Sequence, residues 1–312
     1  MARTFQLPGQ RAELIVIDVR SGERRAVLTS DEILFEAPNW TPDGQWLIVN
    51  GDGRLFRVPV NGAEGAASLV EIPLGGIPEI NNDHVLSPDG RCVYVSAEDG
   101  HLYAAPVDGS ASDSSAPDGS ASDSSAQRRV TSDANPGLRH YLHGVSPDGQ
   151  TLAFIGLTRD GGGTVRTNVF TIPSGGGEEK QITDDSFPDD GAEFTPDGKR
   201  ILFNSERGST VAGHAQLFAI GTDGAGIEKL TDDERVNWFP HESPDGTEIA
   251  YVSFPPGTLG HPADVPVIIR TLGADGGTRD LTEVFGGQGT MNVPSWSPDS
   301  RYLAYVAYPV TS

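Results

Sequence analysis

The fold is decided by Thr41-Pro42-Asp43-Gly44 and the strand that follows it, Trp46-Leu47-Ile48-Val49, because this pairing recurs along the chain. In such a turn Pro presets φ at the second position, Asp bonds nearby backbone and Gly accepts a positive φ. The six copies are Thr41-Pro42-Asp43-Gly44, Ser87-Pro88-Asp89-Gly90, Ser146-Pro147-Asp148-Gly149, Thr195-Pro196-Asp197-Gly198, Ser243-Pro244-Asp245-Gly246 and Ser297-Pro298-Asp299-Ser300.

The spacing of the turns indicates a repeat architecture. From proline to proline it is 46, 59, 49, 48 and 54 residues. Each turn leads into a short β-branched or aromatic run, and in most units a third run and a Gly-rich turn before a fourth run follow. A period of this size with strands inside each unit is typical of a β-propeller, so we predict an all-β protein with six blades.

The two ends of the chain are out of phase with the repeat. The sixth unit stops after its second strand, at Tyr308, whereas Glu13–Ile17 and Arg25–Thr29 read as a third and a fourth strand without a first or second. We therefore predict one propeller domain over residues 1–312, closed by N-terminal strands that complete the C-terminal blade. Residues 1–30 would supply its outer strands and remove two exposed sheet edges.

Composition excludes several classes of partner and site. The formal net charge of −22 argues against nucleic acid, and no apolar run approaches the ~20 residues of a membrane span. The single cysteine, Cys92, excludes an intramolecular disulfide and falls in a predicted strand. Met1-Ala2-Arg3-Thr4-Phe5 lacks the apolar region of a leader peptide, which predicts a cytoplasmic location, or a periplasmic one if a leader has been removed.

One segment departs from the repeat. The stretch DGSASDSSA at residues 108–116 is duplicated at residues 118–126, and it accounts for the long second spacing. Such Ser/Asp/Ala sequence cannot bury a core. We predict that residues 108–127 are a mobile surface loop.

The turns and their flanking strands resemble the WD-like repeats of the TolB family of six-bladed propellers, and in particular short members that stand alone. The segments that carry the resemblance are Asn82-Asp83-His84, His143-Gly144, Asp190-Gly191-Ala192-Glu193, Asn204-Ser205-Glu206-Arg207-Gly208, Asn237-Trp238-Phe239-Pro240-His241, Gly260-His261-Pro262 and residues 286–296. TolB itself is a periplasmic protein with a separate N-terminal α/β domain. This chain has no room for that domain, so the resemblance implies the fold but not a role in the Tol–Pal envelope system.

Polar residues just before the turns belong to the innermost strands, which line the channel of a propeller. We predict that three imidazoles from three blades, His84, His143 and His241, hold a divalent metal such as Mn, Zn, Ni or Ca. The alternative is that such histidines are hydrogen-bonded spacers between blades. The predicted ligand-binding residues are Asp83, Asp190, Trp238, Arg207 and Asn292, although Arg207 could instead pair with neighbouring carboxylates.

Two functions remain open at this point. The first is a binding or scaffold protein with a small ligand, a sugar or a metal in the channel, or with a protein partner on the rim; the absence of any nucleophile motif or phosphate loop favours it. The alternative is a metal-assisted carbohydrate enzyme, since oligogalacturonate lyases are built on a similar propeller. In that case Glu193 or His261 would be the catalytic base of a β-elimination.

Overall fold

The fold is an all-β ring of six blades. The computed structural model describes residues 3–61, 67–108 and 127–311, and within these ranges every regular element is a β-strand. From the inner to the outer strand, blade one consists of β3 (Phe35–Trp40), β4 (Trp46–Gly51), β5 (Arg54–Pro59) and β6 (Val70–Ile72). Blade two consists of β7 (Ile80–Leu86), β8 (Cys92–Ala97), β9 (Leu102–Pro106) and β10 (Arg128–Arg129). Blade three consists of β11 (Arg139–Val145), β12 (Thr151–Arg159), β13 (Val165–Pro173) and β14 (Lys180–Gln181).

Blades four and five repeat this order, and the sixth is shared between the chain ends. Blade four consists of β15 (Asp189–Phe194), β16 (Arg200–Ser205), β17 (Gln216–Gly221) and β18 (Glu228–Lys229). Blade five consists of β19 (Val236–Glu242), β20 (Glu248–Phe254), β21 (Ala263–Gly273) and β22 (Thr278–Gly287). Blade six consists of β23 (Tyr302–Ala307), β1 (Ala12–Asp18) and β2 (Arg24–Ser30). All strand pairs within the sheets are antiparallel.

The closing blade confirms the prediction from the ends of the chain. β1 pairs with β23, with Ile15 opposite Tyr305, and with β2 on its other side. The segments beyond the blade stay together, since the Thr311 N–H donates to the Gly9 carbonyl at 2.9 Å. The innermost part of this blade is irregular and contributes one isolated bridge, Trp296 to Leu303.

Each Pro-Asp turn is held by the same hydrogen bonds. In the first copy the Thr41 hydroxyl donates to Asp43 Oδ1 at 2.6 Å and accepts from the Trp46 N–H at 3.0 Å. Gly44 closes the turn with φ of 69°, and Ser300 adopts the same left-handed region in the sixth copy with φ of 58°. The hydroxyl thereby links the end of one strand to the start of the next, which explains why the motif recurs once per blade.

The cores lie between adjacent blades. The residue two positions before each turn proline is buried in four copies and half-buried in two, Val145 and Glu242. The buried four are Trp40, Leu86, Phe194 and Trp296. Because each blade packs on its neighbour through these side chains, the ring is a series of small cores and not one large one.

Two further predictions concern the loop at residues 108–127 and Cys92. Of the proposed loop at residues 108–127, positions 109–126 lie outside the described residues. Cys92 is buried at the start of β8, as expected of a strand residue. Across the described ranges, no helix is long and apolar enough to cross a membrane.

Candidate functional site

A cavity of about 470 Å³ opens on the propeller axis. Its walls come from the starts of the inner strands and the ends of the second strands, so it lies on the face opposite the six Pro-Asp turns. Its polar lining consists of Arg3, Glu36, Asn50, Asn81, Asn82, Asp83, Glu98, Tyr141, His143, Thr167, Asp190, His261, Gln288 and Asn292.

Bulges in the inner strands shape this end of the channel. The register of the inner pair shifts in blades one to five, and blades one, four and five carry a residue with positive φ inside the shift: Ala37, Gly191 and Phe239. A bulge bends its strand and re-aims the next side chains. This is how Glu36 and Asp190, which directly precede such residues, come to line the cavity.

His143 has a polar contact at each of its two ring nitrogens. Its Nε2 lies 3.0 Å from Asp190 Oδ1, and its Nδ1 lies 3.1 Å from the Asn292 carbonyl oxygen. Burial alone would lower its pKa, but the charge of Asp83 and the hydrogen bond and charge of Asp190 outweigh burial and raise the pKa to about 9. His143 is therefore a cation held between two carboxylates at neutral pH.

Asp83 occupies a different electrostatic environment. Burial raises its pKa to about 6, and the charge of Asp190 acts in the same direction, whereas His143 opposes both. Its carboxylate accepts a hydrogen bond from Asn81 Nδ2 at 2.7 Å. The cavity thus contains a carboxyl group that changes protonation near neutral pH, next to a histidine that stays charged.

His261 closes one side of the cavity beside aromatic rings. It lies in the connection between β20 and β21, and its Nε2 is 3.6 Å from Asp190 Oδ2. Its ring centroid is 4.5 Å from that of Trp238 and 5.3 Å from that of Phe239. Of this connection, His261 lines the cavity wall.

The three histidines predicted to share a metal are not brought together. His84 is fully buried, its Nε2 lies 3.3 Å from the Ile48 carbonyl of the neighbouring blade, and burial lowers its pKa to about 4. His241 pairs with Glu193 through Nδ1 and faces the Met291 carbonyl at 3.1 Å through Nε2. Within residues 3–61, 67–108 and 127–311, no three His, Cys, Asp or Glu side chains form a metal-ligand group.

The physical reason is the position of the bulge. His84 and His143 both stand four residues before a turn proline, yet His84 is in register with Val95 whereas His143 falls inside the bulge of its strand. A one-residue shift sends a side chain to the opposite face of a strand. Glu193 and His241 likewise bond to each other between blades four and five and do not line the cavity.

Arg207 and Trp238 are placed in packing roles. Arg207 is buried, donates to both carboxylate oxygens of Asp189 at 2.8 and 3.0 Å, and lies over Phe203 and Phe218. Arg207 does not line the cavity. Its surroundings match the alternative given for it, in which it pairs with neighbouring carboxylates. Trp238 is buried behind His261. Asp83, Asp190 and Asn292, by contrast, do line the cavity.

Sequence reasoning missed one part of the site. Arg3 and Glu36 line the cavity, and Arg3 reaches Asp264 at 2.7 Å. Glu36 could have been found, because it stands six residues before its turn proline, as Asp190 and Asn292 do before theirs. Arg3 carries no such signal, since it precedes the first repeat.

Several polar atoms of the cavity residues have no hydrogen-bond partner within the described part of the chain. They are buried atoms of four lining residues, namely Arg3 Nε, Asn50 Oδ1, Asn82 Nδ2 and His261 Nδ1. A buried polar group without a partner costs about 1–3 kcal/mol. Four of the thirteen such atoms among the described residues thus belong to side chains that line this one cavity, where a polar molecule could pair with them.

Comparison with known proteins agrees with this architecture. The TolB beta propeller domain matches residues 125–259. An uncharacterized protein of Agrobacterium fabrum is 35% identical over 306 residues, which cover 96% of this chain and 92% of that protein.

Solved structures extend the comparison. A candidate TolB from Agrobacterium tumefaciens superposes with a TM-score of 0.80 at 32% identity, covering 97% of this chain and 99% of its own. An oligogalacturonate lyase in complex with manganese has a TM-score of 0.57 at 13% identity, covering 99% and 98%, and shares the fold alone. The relatives above 30% identity span nearly the whole ring, and the chain therefore belongs to the TolB-like family of six-bladed β-propellers.

Proposed function

We propose that this protein binds a small hydroxyl-rich molecule, such as a sugar, in its axial cavity. The observation that carries the proposal is the set of orphaned polar atoms around that cavity, three of which belong to Asn50, Asn82 and His261. Hydroxyl groups both donate and accept, so one small polyol can satisfy an amide N–H, an amide oxygen and an imidazole nitrogen together once these buried atoms turn toward it. The volume of about 470 Å³ lies in the usual range of ligand cavities.

The wall also offers faces for the apolar side of a sugar ring. Tyr141, Phe239 and His261 contribute aromatic surface, whereas Asp83 and Asp190 contribute carboxylate acceptors. Sites of this kind combine an apolar wall with a few placed polar groups. The contact of Asp190 with the charged His143, at 3.0 Å, holds the Asp190 carboxylate in position before a ligand arrives.

The geometry favours binding over the metal-assisted lyase. A β-elimination of that class needs a cation held by several ligands and a base beside it. His84, His143 and His241 do not converge, and Glu193 is bonded to His241 away from the cavity lining. The likeness to the manganese-bound lyase extends to the fold and supports no transfer of its chemistry.

The test is calorimetry and thermal unfolding with a panel of neutral monosaccharides and disaccharides. At least one sugar should raise the melting temperature of the wild type. Asn82→Ala should weaken its binding about tenfold or more, which corresponds to ~1.4 kcal/mol for a lost hydrogen bond in the cavity. The matched control is Asn61→Ala, an exposed asparagine outside the cavity lining, which should leave the affinity unchanged. Absence of binding by every sugar, or equal weakening by both variants, would contradict the proposal.

A further inference from the structure

The Arg3 guanidinium sits in a ready-made pocket for a cation. Its Nη1 donates to Glu36 Oε1 at 3.2 Å and to the Gln288 carbonyl at 2.7 Å, and its Nη2 donates to Asp264 Oδ1 at 2.7 Å. Its Cζ lies 4.0 Å from the centroid of the Tyr308 ring. We call Glu36, Asp264, Tyr308 and the Gln288 carbonyl the cation cage.

The cage belongs to the ring and not to the segment that fills it. Glu36 and Tyr308 are buried, and the Tyr308 hydroxyl donates to the Phe35 carbonyl at 3.2 Å. Gly289, with φ of 85°, lets the backbone pass, because a Cβ there would approach Glu36 Oε1 to 2.2 Å. These parts come from strands of blades one and five and from residues that directly follow strands of blades five and six, and not from the segment around Arg3.

Arg3 is attached to the rest of the protein mainly by its side chain. Its backbone makes no hydrogen bond to another described residue, and the first bridge of this end of the chain is Gln10 with Val310. Among the described residues, the buried Arg3 Nε has no hydrogen-bond partner, so the cage satisfies only part of the guanidinium. A guanidinium held only by its side-chain contacts can be displaced by a ligand that makes more hydrogen bonds in the cage.

The charges around the cavity select the sign of that occupant. Without Arg3, the described residues of the cage and the adjoining cavity would present the carboxyl groups of Glu36, Asp264, Asp83, Glu98 and Asp190 around the charged imidazole of His143. The whole chain carries a formal charge of −22, which adds to the attraction of cations. Two carboxylates and an aromatic face are the combination that binds guanidinium and ammonium groups.

We propose that the cation cage is a subsite for a guanidinium or ammonium group, and that Arg3 fills it in cis until a ligand that carries such a group replaces it. The proposal rests on the proposed function, because it makes the cavity ligand a hydroxylated cation such as an amino sugar. Arg3 then acts as a competitor within the same chain. The apparent affinity for the ligand equals the intrinsic affinity multiplied by the fraction of molecules whose cage is free.

The test is chemical rescue of Arg3→Ala. Removal of the side chain should lower the melting temperature, and methylguanidine at low millimolar concentration should restore it, whereas urea, which is planar but uncharged, should not. Agmatine, which carries a guanidinium on a short chain, should bind Arg3→Ala about tenfold or more tightly than the wild type by calorimetry. Arg166→Ala, which removes an exposed arginine, should respond to neither compound.

The controls separate this proposal from the previous one. Equal responses of Arg3→Ala and wild type to methylguanidine and agmatine would overturn the cage, even if neutral sugars bind the wild type. Rescue of Arg3→Ala in a protein that binds no sugar would retain the cage and overturn the sugar site. Arg3→Gln provides the same test if the alanine variant does not fold, and adding Glu36→Gln to either variant should abolish rescue.

Discussion

At the scale of single residues, the unusual feature is a charged histidine enclosed by the protein. His143 is almost fully buried, yet Asp83 and Asp190 keep its charged form favourable. Asp190 Oδ2 also lies 3.6 Å from His261 Nε2, so the same carboxylate stands beside two imidazoles of the cavity. A neutral side chain at position 143 would leave Asp83 and Asp190 facing each other without a compensating charge.

This arrangement predicts a specific dependence of stability on pH. The pKa of His143 is about 9 in the folded protein and 6.5 ordinarily, so its contribution is complete below pH 6.5 and is lost as the pH rises through 9. We expect the free energy of unfolding to fall by roughly 1–3 kcal/mol between pH 7 and 9. His143→Gln should flatten that slope in thermal or urea unfolding, whereas His214→Gln should keep it. An unchanged slope in His143→Gln would show that the shift does not come from this residue.

At the scale of elements, two features of the strands organise the molecule. The inner strands carry bulges at the cavity end and hydroxyl-capped turns at the other, so each blade has one variable and one repeated end. The sixth blade is assembled from both ends of the chain, with β1 inserted between β2 and β23. Pairing there is the only link in the described sheets that joins strands far apart in sequence.

This closure predicts opposite results for two rearrangements of the chain. A circular permutant that begins at Asp31 and joins the old ends by a short linker should keep its melting temperature within a few degrees, because Gly9 and Thr311 are already hydrogen-bonded. Deletion of residues 1–30 should abolish cooperative unfolding and promote aggregation, since it leaves β23 as an open edge. Light scattering and thermal unfolding measure both. A truncated protein that melts like the wild type would contradict the role of the closing blade.

At the scale of the whole molecule, charge is the dominant property. A formal charge of −22 on 312 residues creates self-repulsion that disfavours the compact state. Part of this negative charge stabilises the turns, because each turn aspartate accepts a hydrogen bond from its Ser or Thr hydroxyl. Exposed acids such as Glu32, Glu178 and Glu234 have no such role in the described structure.

We therefore expect salt to stabilise the protein. Raising NaCl from about 10 to 300 mM shortens the screening length from ~30 Å to below 10 Å, and should raise the melting temperature by a few degrees. The triple variant Glu32→Gln, Glu178→Gln, Glu234→Gln should be more stable at low salt and respond less to NaCl. A melting temperature that falls with NaCl would mean that favourable ion pairs, such as that of Arg207 with Asp189, outweigh the repulsion.

The sequence alone determined the number of blades, their strand order and the closure by the chain ends. These follow from local chemistry: the turn that begins at Thr41 recurs in each blade because its hydrogen bonds lie within six residues, and the strand after it alternates with period two. It also identified Asp83, His143, Asp190 and Asn292 as cavity residues, because inner strands line the axis of any propeller.

Only the tertiary structure decided which way each inner side chain points and what meets it. His84 and His143 have the same spacing from their turns, but the position of a bulge sends one into the neighbouring blade and the other into the cavity. The cation cage joins Arg3 to Asp264, 261 residues away, through no repeat or motif. Register shifts and contacts of that range depend on how whole blades pack, and this is why local sequence patterns do not contain them.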